Sequence, residues 1–343
     1  MISKTLHIVL SSNERYMPGA TVALAGIALN AKPETALHFH VFTEQVKQES
    51  FAFLEATIKR LHPKSVVEQH VCNEVLLNGL PLWAGSRMSA VRIFFPRLLP
   101  QVTWALYVDC DVLYLASPEE HFAAADDSVY ACVSKEMSSS APAEELRWAK
   151  AHSLALDVEN YFNAGVMLLN LKKMRADGVP EMLGNFFERH KDIQYPDQTA
   201  MNYCFGYRGK KIIGQHYNYL QIFLDDAALC TRPVIHYVSG IPWLPKIAVV
   251  ANGRFKLWHA FADKYVWQKK GESYRRCFAR RMLFLKKLEY VLMVTPVLSQ
   301  LFFVALSLIG KGKYYARWKK VMTEYDVTKA GIRGLLDWLV VSG

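Results

Sequence analysis

Asp109 and Asp111, one residue apart in Tyr107-Val108-Asp109-Cys110-Asp111-Val112-Leu113-Tyr114, are the side chains of this sequence best suited to chemistry. Two carboxylates at that spacing on an extended strand end project to the same side, because side chains alternate with period two. Together they offer hard oxygen ligands to Mn²⁺ or Mg²⁺, and an ion held there neutralises charge building on a departing diphosphate. An isolated Asp-x-Asp also describes a solvated turn, so the pair decides nothing by itself. Its setting is more specific: an apolar strand over 104–108 runs straight into it, and ligands of open α/β sheets gather at the carboxyl ends of strands.

The elements that must position this pair follow from periodicity. An apolar run over 6–10 ends in Ser-Ser-Asn and precedes an Ala-rich periodic stretch over 17–30, which reads as strand, loop and helix. Strand signals recur at 37–42 and 65–71 with a helical one at 45–61 between them, so the first hundred residues alternate β and α. Alternation of this kind predicts a doubly wound, mainly parallel sheet, an α/β Rossmann-like domain. Residues 87–99 read as a helix broken late by Pro96. Beyond the Asp pair, 129–133, 166–171 and 234–237 read as strands, and 182–190 and 198–205 as helices.

Composition bounds the rest. The 343 residues are 52% hydrophobic and 13% aromatic, enough for a large core and against disorder. The net charge is +10, but residues 264–320 hold fourteen Lys and Arg against Glu272 and Glu289, alongside the longest apolar run of the chain. Basic charge confined beside apolar surface points to an anionic membrane rather than to nucleic acid. We therefore expect a catalytic domain over 1–264 and a helical, basic, aromatic, membrane-associating tail over 265–343. The run 290–310 has no charged residue and is long enough to span, yet both flanks are basic and Pro296 interrupts it, so an interfacial segment is favoured. Six scattered cysteines with no C-x-x-C pair read as reduced thiols, and the short apolar start as a first strand rather than a leader. The expected location is cytoplasmic, on the inner face of the cell membrane.

From about His7 to Trp243 the chain resembles the family-eight retaining glycosyltransferases, especially bacterial lipopolysaccharide and lipooligosaccharide galactosyl- and glucosyltransferases. The resemblance rests on elements recurring in order: the first strand and loop, Ala90-Val91-Arg92-Ile93, the Asp pair, Phe162-Asn163-Ala164-Gly165-Val166, Asp197-Gln198, and His236-Tyr237 before Gly240 and Pro242-Trp243. It implies a GT-A type nucleotide-sugar domain that moves glucose or galactose from a UDP-hexose to a saccharide or lipid-linked saccharide acceptor, with no nucleic acid involved. Asp109, Asp111 and His236 would ligate the metal, usually manganese; alone, a buried His is more often a hydrogen-bonded core residue. Arg92 would meet the diphosphate or the donor sugar.

By the same resemblance Asn163, Ala164 and Gly165 contact the donor sugar, although Asn-Ala-Gly also makes a plain loop-to-strand turn. Asp197 would hold sugar hydroxyls or simply cap the helix that follows, and Gln198 would lie beneath the anomeric carbon. An amide is a poor nucleophile, which favours front-face attack through an oxocarbenium-like ion pair. Asn13 replaces the acidic residue expected to meet uracil, with Tyr16 placed to stack, and Gly240-Ile241-Pro242-Trp243 lacks the family's lysine, for which Lys246 is a candidate substitute. Thr199 stands where an acidic residue can occur. A metal-dependent nucleotidyltransferase and an inactive membrane scaffold are the competing readings.

Overall fold

The computed structural model describes residues 5–83, 85–138, 140–190, 193, 195–221, 233–238, 240–243 and 255–267. Two compact units divide the chain: residues 1–223 with 228–239, and residues 224–227 with 240–343.

The first unit is built on a seven-stranded sheet of order β3-β2-β1-β4-β7-β6-β8, comprising β1 (Leu6–Asn13), β2 (Leu37–Glu44), β3 (Val66–Val71), β4 (Trp104–Val108), β6 (Ala131–Lys135), β7 (Phe162–Asn170) and β8 (Lys210–Ile213). All pairings are parallel except those of β7, which runs antiparallel to both β4 and β6. The mostly parallel α/β sheet read from the β–α alternation is therefore present. Every residue of β4 and β7 is buried, as a strand covered on both faces requires. The helix Met17–Asn30 is buried along nearly its whole length, and its small residues allow close approach: a Cβ on Gly26 would lie 2.2 Å from the Tyr114 carbonyl oxygen.

A second sheet positions the chemistry. β5 (Val112–Tyr114) follows β4 after a turn at 109–111, and β10 (Val234–His236) pairs antiparallel with it, setting His236 opposite Val112. β9 (Tyr219–Leu220) lies parallel on the far side of β10. In the second unit, the helix Lys256–Tyr265 buries Trp258, whose ring meets those of Trp243 at 5.8 Å and Trp267 at 5.6 Å.

Three local expectations change. Residues 87–99 form no continuous α-helix: Met88–Phe94 is a 3-10 helix and Phe95–Leu98 a short α-turn. Pro96 has no N–H to donate back to Arg92, so it sits in the first turn of the second segment, where none is needed. The Asp pair lies in a turn rather than on an extended strand: β4 ends at Val108, and Val112 N–H donates to the Asp109 carbonyl at 3.3 Å. Asn163-Ala164-Gly165 is no turn either, being part of β7. Among the described residues no helix is long and apolar enough to cross a membrane; the expected tail beyond residue 267, including 290–310, and Lys246 lie outside the described residues.

His121 gives this unit a defined acid sensitivity. It is buried in the helix Pro118–Ala123, its Nδ1 2.9 Å from Tyr114 Oη and its ring 4.3 Å from that of Tyr217. Burial, helped by nearby His216, pushes its pKa down to about 3. The unfolded chain takes up this proton near pH 6.5 while the folded chain refuses it, so the stabilisation is complete above that pH and is lost as pH falls toward 3. Between pH 7 and 5 this one residue should cost about 2 kcal/mol, and urea unfolding of His121→Gln should show a correspondingly smaller acid loss than the parent. Equal losses in both proteins would contradict a buried neutral His121.

Candidate active site

Arg92 is the buried centre of the site. Its Nη2 donates to Asp109 Oδ1 at 2.8 Å, its Nη1 to the Ala164 carbonyl at 2.6 Å and its Nε to the Ser89 carbonyl at 2.7 Å, and Nε also lies 3.1 Å from Asp197 Oδ2. The guanidinium lies over the Tyr107 ring at 4.2 Å, and Tyr107 Oη donates to the same Asp109 oxygen. One cation thus joins the end of β4, the start of β7 and the helix Pro196–Phe205. Burial alone would ease its proton off, but Asp109 and Asp197 hold its pKa above the usual guanidinium range.

With Oδ1 engaged by Arg92 and Tyr107, Asp109 turns Oδ2 toward His236, whose Nε2 is 3.9 Å away and 3.2 Å from Asp111 Oδ1. Burial pushes the Asp109 carboxyl up, against the pull of Arg92. Burial pulls the His236 imidazole down, yet Asp111, then Asp109 and Glu136, outweigh it and leave it above its usual pKa. Between the two carboxylates Cys110 points away, its thiol donating to the Ser11 carbonyl at 3.4 Å.

His236 is oriented from behind. Its Nδ1 lies 3.2 Å from Asn218 Oδ1, Asn218 Nδ2 donates to Asn163 Oδ1 at 3.0 Å, and Asn163 Nδ2 donates to Glu136 Oε2 at 3.2 Å. A second-row relay of this kind fixes the tautomer and rotation of a metal-binding imidazole. Gly165 makes room for it: a Cβ there would fall 2.1–2.9 Å from the His236 ring atoms. The side chain missing at Gly165 is therefore space for the imidazole.

On the other flank, Asp197 and Gln198 occupy the first turn of the helix Pro196–Phe205. The N-cap position belongs to Tyr195, so Asp197 is not the cap; its carboxylate goes to Arg92. Gln198 Oε1 accepts from Ala164 N–H at 3.0 Å, and its Nε2 donates to Tyr161 Oη at 3.3 Å. Behind it Thr199 Oγ1 donates to the buried Glu145, whose carboxyl burial pushes up, so a carboxylate does reach this place from another helix, Ser140–Ala151.

Asn13, at the carboxyl end of β1, donates from Nδ2 to Ser86 Oγ at 3.3 Å, while its buried Oδ1 has no hydrogen-bond partner among the described residues. That oxygen is free to accept from a base N–H. Burial raises the pKa of Tyr16, with Arg15 opposing and the carboxylates of Asp111 and Asp109 adding to the rise, so its ring stands within electrostatic reach of the pair. Gly240 belongs to the second unit.

The pattern of Glycosyl transferase family 8 matches residues 7–261, which takes in every one of these side chains. The chain belongs to glycosyl transferase family 8. Within it, the chain is 28% identical to a lipopolysaccharide 1,3-galactosyltransferase of Salmonella typhimurium, over 69% of this chain and 72% of that one. It is 25% identical to a lipopolysaccharide 1,2-glucosyltransferase of Escherichia coli, over 63% of this chain and 62% of the other, so the match spans less than two thirds of that relative's length. A crystal structure of galactosyltransferase LgtC with donor and acceptor sugar analogs superposes with a TM-score of 0.61 at 22% identity, covering 76% of this chain and 96% of that one. This likeness shows that the family-eight chain has the GT-A-like fold.

The donor set of this family-eight site fits a hard divalent cation. Ligand atoms of Asp109, Asp111 and His236 lie within 4.8 Å of one another, two of the three are carboxylates, and the imidazole is already oriented through its other nitrogen. Residues that sequence reasoning missed are Tyr107, Glu136, Asn218, Tyr161 and Glu145. Tyr107 had a signal, since it precedes Asp109 by two and so shares its direction. Asn218 had none, lying between short elements without pattern.

The packing of Gly165 predicts an effect on metal binding. Gly165→Ala should push the His236 ring aside and weaken Mn²⁺ binding by about 10–100-fold, the usual range for disturbing what supports a ligand. Isothermal titration with Mn²⁺ checks this; unchanged affinity in a folded variant would mean that His236 is not a ligand.

Proposed function

We propose that this family-eight chain is a retaining, metal-dependent hexosyltransferase that moves glucose or galactose from a UDP-hexose to a saccharide acceptor, a lipopolysaccharide or lipooligosaccharide core. The observation that carries this reading is the joint anchoring of Asp109 and Asp197 on the one Arg92 guanidinium, which unites a cation site with a sugar-facing carboxylate. The relatives named as lipopolysaccharide galactosyl- and glucosyltransferases support the acceptor class.

In this reading Asp109, Asp111 and His236 hold Mn²⁺, or Mg²⁺, which when bound neutralises the diphosphate as the sugar leaves. Asn13 accepts from the uracil N–H through its free Oδ1, and Tyr16 stacks on the base. Asp197 accepts from sugar hydroxyls on the side turned away from Arg92. Asn163, Ala164 and Gly165 form the wall against the sugar, and Arg92 acts toward the donor chiefly by fixing the two carboxylates that face it.

Gln198 is held at both ends of its amide, by Ala164 N–H and Tyr161 Oη, which suits a group that shapes the space below the anomeric carbon without bonding to it. The acceptor hydroxyl then enters from the face the diphosphate leaves, which retains configuration. The ordered pairing of Asn-Ala-Gly with a distant Asp-Gln favours sugar transfer over nucleotidyl transfer.

Sugar-nucleotide hydrolysis in Mn²⁺ tests this directly. Asp111→Asn or excess chelator should lower turnover at least about a hundredfold, by removing a ligand whose ion supplies several kcal/mol. Asp197→Ala should be more damaging than Gln198→Ala, because it leaves sugar hydroxyls unpaired. Full activity in chelator, or a glycosyl adduct trapped on Gln198 of the unmodified protein, would refute the scheme.

The basic, aromatic stretch after residue 264 supports a peripheral site on the inner face of the cell membrane, next to a lipid-linked acceptor. Deleting residues 265–343 should release the protein from anionic vesicles at low salt while sparing donor hydrolysis. A full-length protein that ignores such vesicles would contradict the membrane assignment.

A further inference from the structure

A second cluster of ligand-type side chains lies on β1, β2 and β3 and shares no residue with the group Asp109, Asp111 and His236. Parallel register pairs His7 with His38, His40 with Glu68 and Phe42 with His70, so alternation sets His7, His38, His40, Glu68 and His70 on one face of the sheet.

The distances within this cluster fit three ligands around one ion, although the His40–His70 contact alone would also serve as a hydrogen bond. His40 Nδ1 and His70 Nε2 are 3.1 Å apart, and Glu68 Oε2 lies 3.5 Å from the first and 3.7 Å from the second. The two carboxylate contacts are long for charge-assisted hydrogen bonds. They suit ligands sharing an ion: tetrahedral bonds of about 2.0–2.1 Å set neighbouring ligand atoms about 3.3–3.4 Å apart. The three atoms thus form one face of a tetrahedron.

The surroundings are also those of a built site. His40 is buried, and its other nitrogen, Nε2, is 3.0 Å from His7 Nδ1, a contact that leaves Nδ1 as the lone-pair donor when Nε2 carries the proton. His38 Nε2, 3.1 Å from Glu68 Oε2, steadies the carboxylate, and the Phe42 ring stacks on His70 at 4.5 Å. The side chains of His70 and Glu68 remain 23% and 49% exposed, so an ion has a route in from solvent.

We propose that His40, Glu68 and His70 form a second metal site, with a zinc-type divalent ion held by two imidazoles and one carboxylate and a water completing the tetrahedron. Two imidazoles favour a borderline-soft ion, whereas the two carboxylates and one imidazole at Asp109 favour a harder one. The chain would therefore sort two ions between two sites. An ion at His40 would tie β2 to the edge strand β3 and bind only the folded protein.

Zinc alone, titrated calorimetrically into the full chain carrying Asp111→Asn, isolates this site from the other. The expected result is one tight Zn²⁺ per chain, a thermal midpoint raised by Zn²⁺, and visible tetrahedral d–d bands when Co²⁺ is used instead. Adding Glu68→Gln, at a half-exposed side chain, or His70→Ala should weaken Zn²⁺ at least tenfold and remove the bands, with the metal-free thermal midpoint kept. Zinc binding and Co²⁺ bands that survive both additions, or Zn²⁺ binding that Asp111→Asn alone abolishes, would overturn the proposal.

Discussion

The site is organised around a buried cation shared by two carboxylates. Arg92 enters from a 3-10 segment, meets Asp109 at the end of β4 and Asp197 at the start of a helix distant in sequence, and binds the Ala164 carbonyl of β7 as it passes. A buried guanidinium is tolerable only when its charge is paired and its N–H groups have acceptors, and removing one partner of such a group typically costs about 3–5 kcal/mol. The same requirement that keeps Arg92 charged therefore dictates where Asp109 and Asp197 point. Its planar fork suits this work, since an ammonium could not reach the same acceptors in fixed directions.

What Arg92 does for the carboxylates, the small sheet does for the imidazole. A turn at 109–111 ends β4 and starts β5, and antiparallel pairing of β10 on β5 carries His236 to the side of Asp111. Tyr237 N–H donates to the Asp111 carbonyl at 2.9 Å, tying that strand to the turn itself. Gly165 leaves space for the ring, and the chain Asn218–Asn163–Glu136 sets its rotation. Side chains separated by more than a hundred residues thus converge through backbone register, with the side-chain relay only trimming the last degrees of freedom.

Strands buried on both faces and helices with a clear period were legible in the sequence, and they sufficed for the mostly parallel α/β sheet. Short or disguised elements were not. β8 reads Lys-Lys-Ile-Ile, and its first lysine hides a buried position, because Lys210 pairs with Asp157 at 3.1 Å with both side chains out of water. The helix Ser140–Ala151 carries Pro142 and four charged residues, which obscure its apolar face. β5 is three residues long, too short for a period to show. At the site, residue types that bear chemistry stood out by themselves, whereas supporting groups did not: Glu136 and Asn218 lie just outside strands and matter through contacts between segments distant in sequence, which no local pattern encodes. The convergence of Asp109 and Asp111 was expected from strand alternation and arises instead from a turn.

The central claim is that one guanidinium positions both the metal-facing and the sugar-facing carboxylate. Mn²⁺ affinity of Arg92→Lys, measured by titration calorimetry beside its thermal midpoint, tests it most directly. A lysine keeps the charge but loses the fork. We predict a folded, less stable protein that binds Mn²⁺ at least about tenfold more weakly, because Asp109 is no longer held with Oδ2 toward His236. Unchanged Mn²⁺ affinity in a folded Arg92→Lys protein would contradict the account.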